Sequence, residues 1–542
     1  MHRLITLVAA LTLAPSLPPA GAQLYEASGE ISDASAVLVH LATGADMEAG
    51  VQAARIRGLT VTSLYPAIGV FAVYGPDSAI RRLRDSDLVA YLEPNARVEY
   101  LTDTSHLATR AKSVLEGEVT LPDGTIVDGS GVGVAIVDTG VDGTHPDLTD
   151  RMVENLRIYC VQAQVGPVQG PCEFVPLDDT DHPGASGHGT AVSGAVAGTG
   201  EASNGRFHGA APGAALYGLG SGAVTFLTNA LEALNWVLEN HDRVDPPIRV
   251  VNNSWGATSG KPDPGNPGAH AKMQMELIED GVSLVFSAGN GGGDGSEQQT
   301  SGECVLLVPG NICVANYDDA NTGTRDGSLA PTSARGARDD PETWPDISAP
   351  GIRTTTTCRL TLPVCSLGLG QETDPPNHYA EVGGTSMAAP HVTGIVALLY
   401  QVDPMLEPAE VEWVLEETAH KFTSGAGYQE DPLHPGATSS YDKGHGLVDA
   451  RDAVEAVLHP LVVSSPAEGA AVDGSVQVEG RIWYGDHIEI AVDGDPVAAL
   501  ESVSRFWTHT LPGLQPGQHT ITITMSSGER AVRSIDRTVH VS

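Results

Sequence analysis

Three short stretches carry side chains that could act together on a carbonyl group. GGTSMAAPHVTGIVALLYQ, residues 383–401, places Ser386 on a Gly-Gly-Thr-Ser corner that opens an apolar helix. A hydroxyl at such a corner lies beside free backbone N–H groups and the positive end of the helix. A nucleophilic serine needs this setting: exposure, a fixed rotamer and donors for a developing oxyanion. GVGVAIVDTGVDGTHPDL, residues 131–148, is an apolar strand ending in Asp138-Thr139-Gly140. GHGTAVSGAVAGT, residues 187–199, sets His188 between two glycines before a helix of small residues. Each stretch also has an ordinary reading: a Ser cap, a strand-ending Asp, a structural His. Together, in the order Asp, His, Ser, they support nucleophilic catalysis. Ser386 would attack a carbonyl, His188 would take and return its proton, and Asp138 would hold the imidazole tautomer. VSLVFSAGN ends a further buried strand at Asn290, whose side-chain amide could meet the oxyanion together with the Ser386 N–H.

The elements around these residues alternate. The strand before Asp138 is followed by a helix from His188, a helix within 222–241, the strand IRVVNNSWG, the helix AKMQMELIEDG and the strand VSLVFSAGN. This pattern predicts an α/β fold with a mostly parallel sheet covered by helices on both faces, its sites at the C-terminal strand ends. EPAEVEWVLEETA, residues 407–419, reads as a further helix, and GHGLVDARDAVEAVL closes the domain near residue 458. Upstream, residues 23–101 read as strand-helix-strand-strand-helix-strand, a small split-βαβ unit. Residues 102–130 are polar and Gly-rich and suit a linker at the start of a 102–458 domain. Residues 459–542 show short alternating runs separated by turns, the pattern of an antiparallel β-sandwich.

Composition narrows the function further. With 29 basic and 68 acidic residues among 542, the formal net charge is −39, which argues against nucleic acids and anionic membranes as partners. Residues 1–22 read as a signal peptide: a weakly basic start, the apolar run LITLVAALTLA and small residues at Ala20-Gly21-Ala22. The run is too short to span a bilayer, and no other segment suggests a membrane anchor. A secreted, extracellular protein is expected. Six cysteines fall in three near pairs, Cys160/Cys172, Cys304/Cys313 and Cys358/Cys365. In an exported protein their clustering favours three local disulfides, and no CxxC or neighbouring His pattern supports metal binding.

The segments VAIVDTGVDGTHPDL, GHGTAVSGAVAG, NNSWG, SAGN and GGTSMAAPHVTG resemble, in order, the motifs of the subtilisin-like serine proteases, over about residues 131–450. The resemblance implies a secreted endopeptidase that needs no cofactor for its chemistry. It implies a zymogen whose propeptide, residues 23–101, assists folding, plugs the site and is cut near residues 100–102. It lays the substrate backbone as an added strand against NNSWG and puts the pocket for the acyl-side side chain between Ser254-Trp255-Gly256 and Ser287-Ala288-Gly289. It puts the base of the specificity pocket within CVLLVPG, where Leu307 falls and no carboxylate stands, which favours apolar, non-basic side chains. Structural calcium is admitted, and Asp147 matches a frequent ligand position. The metal set stays unassigned because TGEASNGRFHGAAPG departs from the family's calcium loop. Ala191 stands where the family commonly carries a second His, outside the triad. The C-terminal sandwich resembles immunoglobulin-like modules. Protein or peptide substrates, the chain's own propeptide as inhibitor and a monomeric state are expected. Two other readings are a dedicated processing protease with the sandwich as folding partner, and a catalytically silent surface-binding protein.

Overall fold

The structure, a computed structural model, describes residues 34–94, 104–162, 168–181, 186–222, 227–256, 260–262, 267–359, 361–367, 378–434, 436–501 and 505–542. The expected signal peptide, the junction near residues 100–102 and the side chain of Cys160 lie outside the described residues. The chain divides into two units, Met1–Tyr100 and Leu101–Ser542.

In the first unit the elements run β1 (Ala34–Leu41), α1 (Met47–Ile56), β2 (Thr60–Tyr65), β3 (Val70–Pro76), α2 (Asp77–Arg84) and β4 (Val89–Pro94). The sheet order is β2-β3-β1-β4, with every pair antiparallel. Helix α1 starts where the Asp46 carboxylate accepts the Ala49 amide at 2.9 Å. Val51, Ala54, Ile80 and Leu83 face Val39, Phe71 and Val73, so both helices cover one face of the sheet.

The second unit is built on nine strands. These are β5 (Gly133–Asp138), β6 (Met152–Gln162), β7 (Val168–Pro176), β8 (Ala215–Gly220), β9 (Ile248–Asn253), β10 (Ser283–Ser287), β11 (Asn311–Asp318), β12 (Ser328–Leu329) and β13 (Ile347–Pro350). Their order is β12-β11-β10-β9-β5-β8-β6-β7, with β13 beside β11. All pairs are parallel except β6–β7 and β11–β12. Six main helices accompany them: α3 (His188–Ala197), α4 (Leu227–Asn240), α5 (Ala269–Glu279), α6 (Thr385–Val402), α7 (Pro408–Thr418) and α8 (Ala450–Leu458). Strand β5 is buried at all six residues, as a central parallel strand must be. Val134 and Ile136 join a core with Val192 and Val196 of α3 and Leu398 of α6. Ala135 and Val137 join the opposite core with Ala233 and Leu234 of α4 and Leu277 of α5. The two-residue alternation of one strand thus serves helices on both faces.

The stretch expected as a linker begins differently. Thr104–Ala108 and Ala111–Leu115 are short helices packed into the second unit, with Ala108, Ala111 and Val114 fully buried. Arg110 pairs with Asp449 and Asp452. Its polar composition reflects that ion-pair network, not a solvated tether.

Cys304–Cys313 and Cys358–Cys365 are disulfides. Cys172 is disulfide-bonded, and its backbone stands opposite Cys160 across the β6–β7 pair.

The C-terminal strands, from Leu461–Ser465 to Arg530–Val541, form a three-stranded and a five-stranded sheet. One hydrophobic cluster runs from Leu406, Val411 and Val457 through Leu461 and Tyr484 to Ile488 and Ile523, joining the sandwich to the nine-stranded core. Arg530 also reaches Asp403 at 2.9 Å and Glu410 at 3.2 Å, and Arg505 reaches Glu417 at 2.5 Å. Ion pairs that solvent still reaches on the arginine side contribute little, roughly 1 kcal/mol, so the apolar contact holds the interface. Glu417, with a side chain only 4% exposed, has its charge partners Arg505 and Arg481 in the sandwich. Deleting residues 459–542 in a Ser386→Ala background should therefore lower the melting temperature by at least about 5 °C, since it opens the shared apolar cluster to water. An unchanged melting curve would make the sandwich an independent accessory.

Candidate active site

Asp138 is the last residue of β5, at the C-terminal edge of the sheet, and is 4% exposed. Its carbonyl accepts the Ser221 amide at 2.8 Å and the Ser221 hydroxyl at 3.1 Å. Its carboxylate accepts the Thr139 amide at 2.7 Å. Both carboxylate oxygens lie against His188 Nδ1, at 2.8 and 3.0 Å. That contact needs the start of α3 to come close to the end of β5. Gly189 permits it: a Cβ there would stand 2.2 Å from the Gly140 carbonyl oxygen and 3.1 Å from the Asp138 Cβ. With Nδ1 committed to Asp138, the ring is oriented and Nε2 is left to exchange protons.

Asp181 is a neighbour that the motifs do not reveal. It is fully buried and accepts from the Gly187 amide at 3.0 Å and the Thr190 hydroxyl at 2.5 Å, bracketing the turn that carries His188. Burial pushes its carboxyl up to about 6. Burial pulls His188 the other way, yet the charge and hydrogen bond of Asp138, with the charge of Asp181, leave the imidazole above its usual value.

Ser386 lies in the first turn of α6, after Gly384 at φ 139°, a conformation open to glycine. Its hydroxyl donates to the Ser254 carbonyl at 3.1 Å, and the Ser254 hydroxyl donates back to the Ser386 carbonyl at 2.8 Å. Pro390 explains the second bond. Four residues after Ser386, it has no N–H to offer that carbonyl, which is left for Ser254. Ser254 is held in turn by Asn252 Nδ2 at 3.0 Å, and Asn252 Oδ1 accepts from Thr393 at 2.8 Å. Asn290 follows the end of β10. Its Oδ1 accepts the Thr385 amide at 2.9 Å and the Thr385 hydroxyl at 3.2 Å, at the positive end of α6. With the oxygen so engaged, the Nδ2 group is the end of the amide free to face a substrate oxygen.

Trp255 Nε1 donates to the Val137 carbonyl at 2.9 Å, fixing the 254–256 strip to β5. Opposite it, Ser287, Ala288 and Gly289 leave β10, and the Ala288 carbonyl accepts the Ser301 amide at 3.0 Å. Ser301 and Glu303, both buried, approach the first strip as well. A Cβ on Gly256 would lie 2.5 Å from Ser301 Oγ and 3.6 Å from Glu303 Oε2. The expected pocket base at Leu307 is not found there. Leu307 is 48% exposed and lines a separate cavity with Trp344, Asp346, Glu412 and His434. The Cys304–Cys313 bond turns the chain after Glu303, so the residues nearest Gly256 precede the staple. Asp147 spends both oxygens on protein donors, the Ala202 amide at 2.8 Å and the Tyr379 hydroxyl at 2.7 Å.

A family profile described as the subtilase family, Peptidase_S8, matches residues 129–446. Serine protease AprX of Bacillus subtilis is 31% identical over 369 residues, spanning 66% of this chain and 73% of that protein. Subtilisin of Bacillus pumilus is 28% identical over 306 residues, spanning 55% of this chain and 88% of that protein. Among solved structures, fervidolysin from Fervidobacterium pennivorans aligns with a TM-score of 0.46 at 20% identity, covering 95% of this chain and 78% of that one.

A pH profile follows from the Asp181 contact. A general base works neutral, so kcat/KM should rise as pH passes upward through the His188 pKa, which lies above the ordinary value of about 6.5. Asp181→Asn removes one of the charges that raise it, so the acid limb should move to lower pH. A limb that stays in place would separate Asp181 from the imidazole.

Proposed function

Because the chain belongs to the subtilase family of serine proteases, we propose that it is an exported serine endopeptidase whose chemistry is carried by Ser386, His188, Asp138 and Asn290. The observation that carries this reading is the Asp138–His188 contact at 2.8 Å, on the same sheet edge that holds Asn290 against the start of the Ser386 helix. A peptide adds as a strand against the 254–256 strip, with its acyl-side side chain in the pocket between that strip and 287–289. The Ser386 hydroxyl leaves the Ser254 carbonyl, turns to His188 Nε2 and gives up its proton there as Oγ attacks the scissile carbon. The resulting oxyanion meets Asn290 Nδ2 and the Ser386 amide. His188 then protonates the leaving amine, and Asp138 stabilises the imidazolium throughout. Water, deprotonated by the same nitrogen, releases the acyl group. Subtilases need no cofactor for these steps.

Export is supported by the apolar N-terminal run together with the disulfides. Among the described residues no helix is long and apolar enough to cross a membrane. Residues 23–101 are read as an inhibitory propeptide that the enzyme removes itself. Ser386→Ala should lower peptidase activity by a factor on the order of 10⁶, the loss seen when the nucleophile of subtilisin is removed. It should also leave the precursor uncut near residues 100–102. Normal maturation of the variant in a host lacking other proteases would refute self-processing.

The buried Glu303 carboxylate beside Gly256 is read as the base of the specificity pocket, where it favours a cationic side chain over an apolar one. In a peptide library varied on the acyl side of the cut, Glu303→Gln should lower cleavage after Arg or Lys relative to cleavage after Leu. An unchanged ratio would remove Glu303 from the pocket.

A further inference from the structure

Away from the sheet edge that carries Asp138 and Ser386, two imidazoles and four carboxylates converge. Asp346 precedes β13, Glu412 and Glu416 lie one turn apart on α7, and Asp431, His434 and His445 come from the segment that follows. All of them but Glu416 border a cavity of about 230 Å³ that opens beside Leu307. None of Asp138, His188, Asn290 or Ser386 lines it. We propose that Glu416, Asp431, His434 and His445 form a structural site for one divalent transition-metal ion, with zinc as the best match.

Three observations carry the assignment. The first is an unsatisfied acid. Glu416 is 3% exposed, yet neither of its carboxylate oxygens has a hydrogen-bond partner, and His434 Nδ1 beside it has none either. A carboxylate buried without a donor is costly unless something else neutralises it.

The second is spacing. Asp431 Oδ2 lies 3.1 Å from His445 Nε2 and 3.7 Å from His434 Nδ1. The Glu416 oxygens lie 3.6 Å from His445 Nε2 and 3.9 Å from His434 Nδ1. Direct hydrogen bonds between such groups would close to about 2.8 Å, and three of these four separations are too long for one. A tetrahedral ion with bonds of about 2.0–2.1 Å holds its donors roughly 3.3 Å apart. With Glu416 Oε1 facing His445 and Oε2 facing His434, these separations leave room for an ion between the groups, on the scale that zinc coordination imposes.

The third is the way the donors are held. Asp431 spends Oδ1 on the Leu433 amide at 2.8 Å and the His434 amide at 3.2 Å, which leaves Oδ2 for the cluster. Asp346 accepts the Cys313 amide at 2.6 Å, and Glu412 accepts the Gly310 amide. Those two are anchored carboxylates at the rim, within reach of Glu416. Such anchoring of the ligands and of the groups behind them is what orients a metal site.

The donor set selects the ion. Two imidazoles with two carboxylates suit zinc, whereas calcium and magnesium favour oxygen ligands alone. Four protein donors leave no open position, so the role is structural. The ion would tie α7, whose Glu410 and Glu417 meet the C-terminal sandwich, to the Gln429–Ser439 hairpin and to the turn at His445.

The test uses the full chain with Ser386→Ala, purified without a metal-binding tag and dialysed against a chelator. Zinc is then titrated in competition with a chromophoric chelator, and melting is followed with and without zinc. The expected result is one zinc per chain and a higher melting temperature. His445→Gln and, separately, His434→Gln should each weaken binding at least 100-fold and remove the thermal shift. His434, at 30% side-chain exposure, serves as the second variant in case the buried His445 is needed for folding. The proposal is overturned if the parent binds no zinc stoichiometrically. It is overturned equally if the folded His434→Gln variant binds as the parent does, or if calcium alone reproduces the shift.

Discussion

A buried carboxylate sharing a hydrogen bond with an imidazole is the contact on which the rest of this molecule turns. Asp138 is 4% exposed and lies 2.8 Å from His188 Nδ1. In water such a pair would be weak and its geometry loose. At the end of a strand buried on both faces it is strong and fixed, because few solvent dipoles remain to compete with it. The fold supplies the conditions. A parallel sheet delivers Asp138 to its C-terminal edge, and the helix that begins at His188 can approach that edge because Gly189 has no side chain.

The serine half of the site is fixed by a different device. Pro390 deprives the Ser386 carbonyl of its helical partner, and that carbonyl then accepts from Ser254. Ser254 leans on Asn252 and Asn252 on Thr393, so the substrate strip, the β9 strand end and the α6 helix share one hydrogen-bonded chain. Asn290 is oriented from the other side by Thr385. In the proposed mechanism this is preorganisation: the Asn290 amide and the start of the Ser386 helix are held before any charge develops.

Much of this was legible in the residue pattern, for a physical reason. Asp138, His188, Asn290 and Ser386 sit at strand ends and helix starts, and those boundaries are marked locally by glycine and by the end of an apolar run. The alternation of apolar strands with amphipathic helices likewise predicts the parallel sheet directly. What escaped depends on contacts between distant segments. Asp181 looks like one acid among many in DDTDHPG, and only the turn around Gly187 brings it against His188. The family resemblance put the pocket base at Leu307, but the path of the chain through the Cys304–Cys313 loop puts Ser301 and Glu303 beside Gly256. Thr104–Leu115 looked like a linker because its polar residues give no sign that Asp449 and Asp452 wait for Arg110. The cluster of Glu416, Asp431, His434 and His445 has no compact ligand motif, since its donors come from a helix, a hairpin and a turn.

The central claim is that Ser386 is a nucleophile activated by His188. Its most direct measurement is the stoichiometry and position of a covalent adduct. The mature enzyme would be treated with an organophosphorus fluoride, whose phosphorus is attacked by an activated serine, and the product would be mapped by peptide mass spectrometry. The account predicts one phosphoryl group per chain, on the peptide containing Ser386, formed at least a thousand-fold more slowly after His188→Ala. An adduct on another residue, or equal labelling without His188, would contradict it.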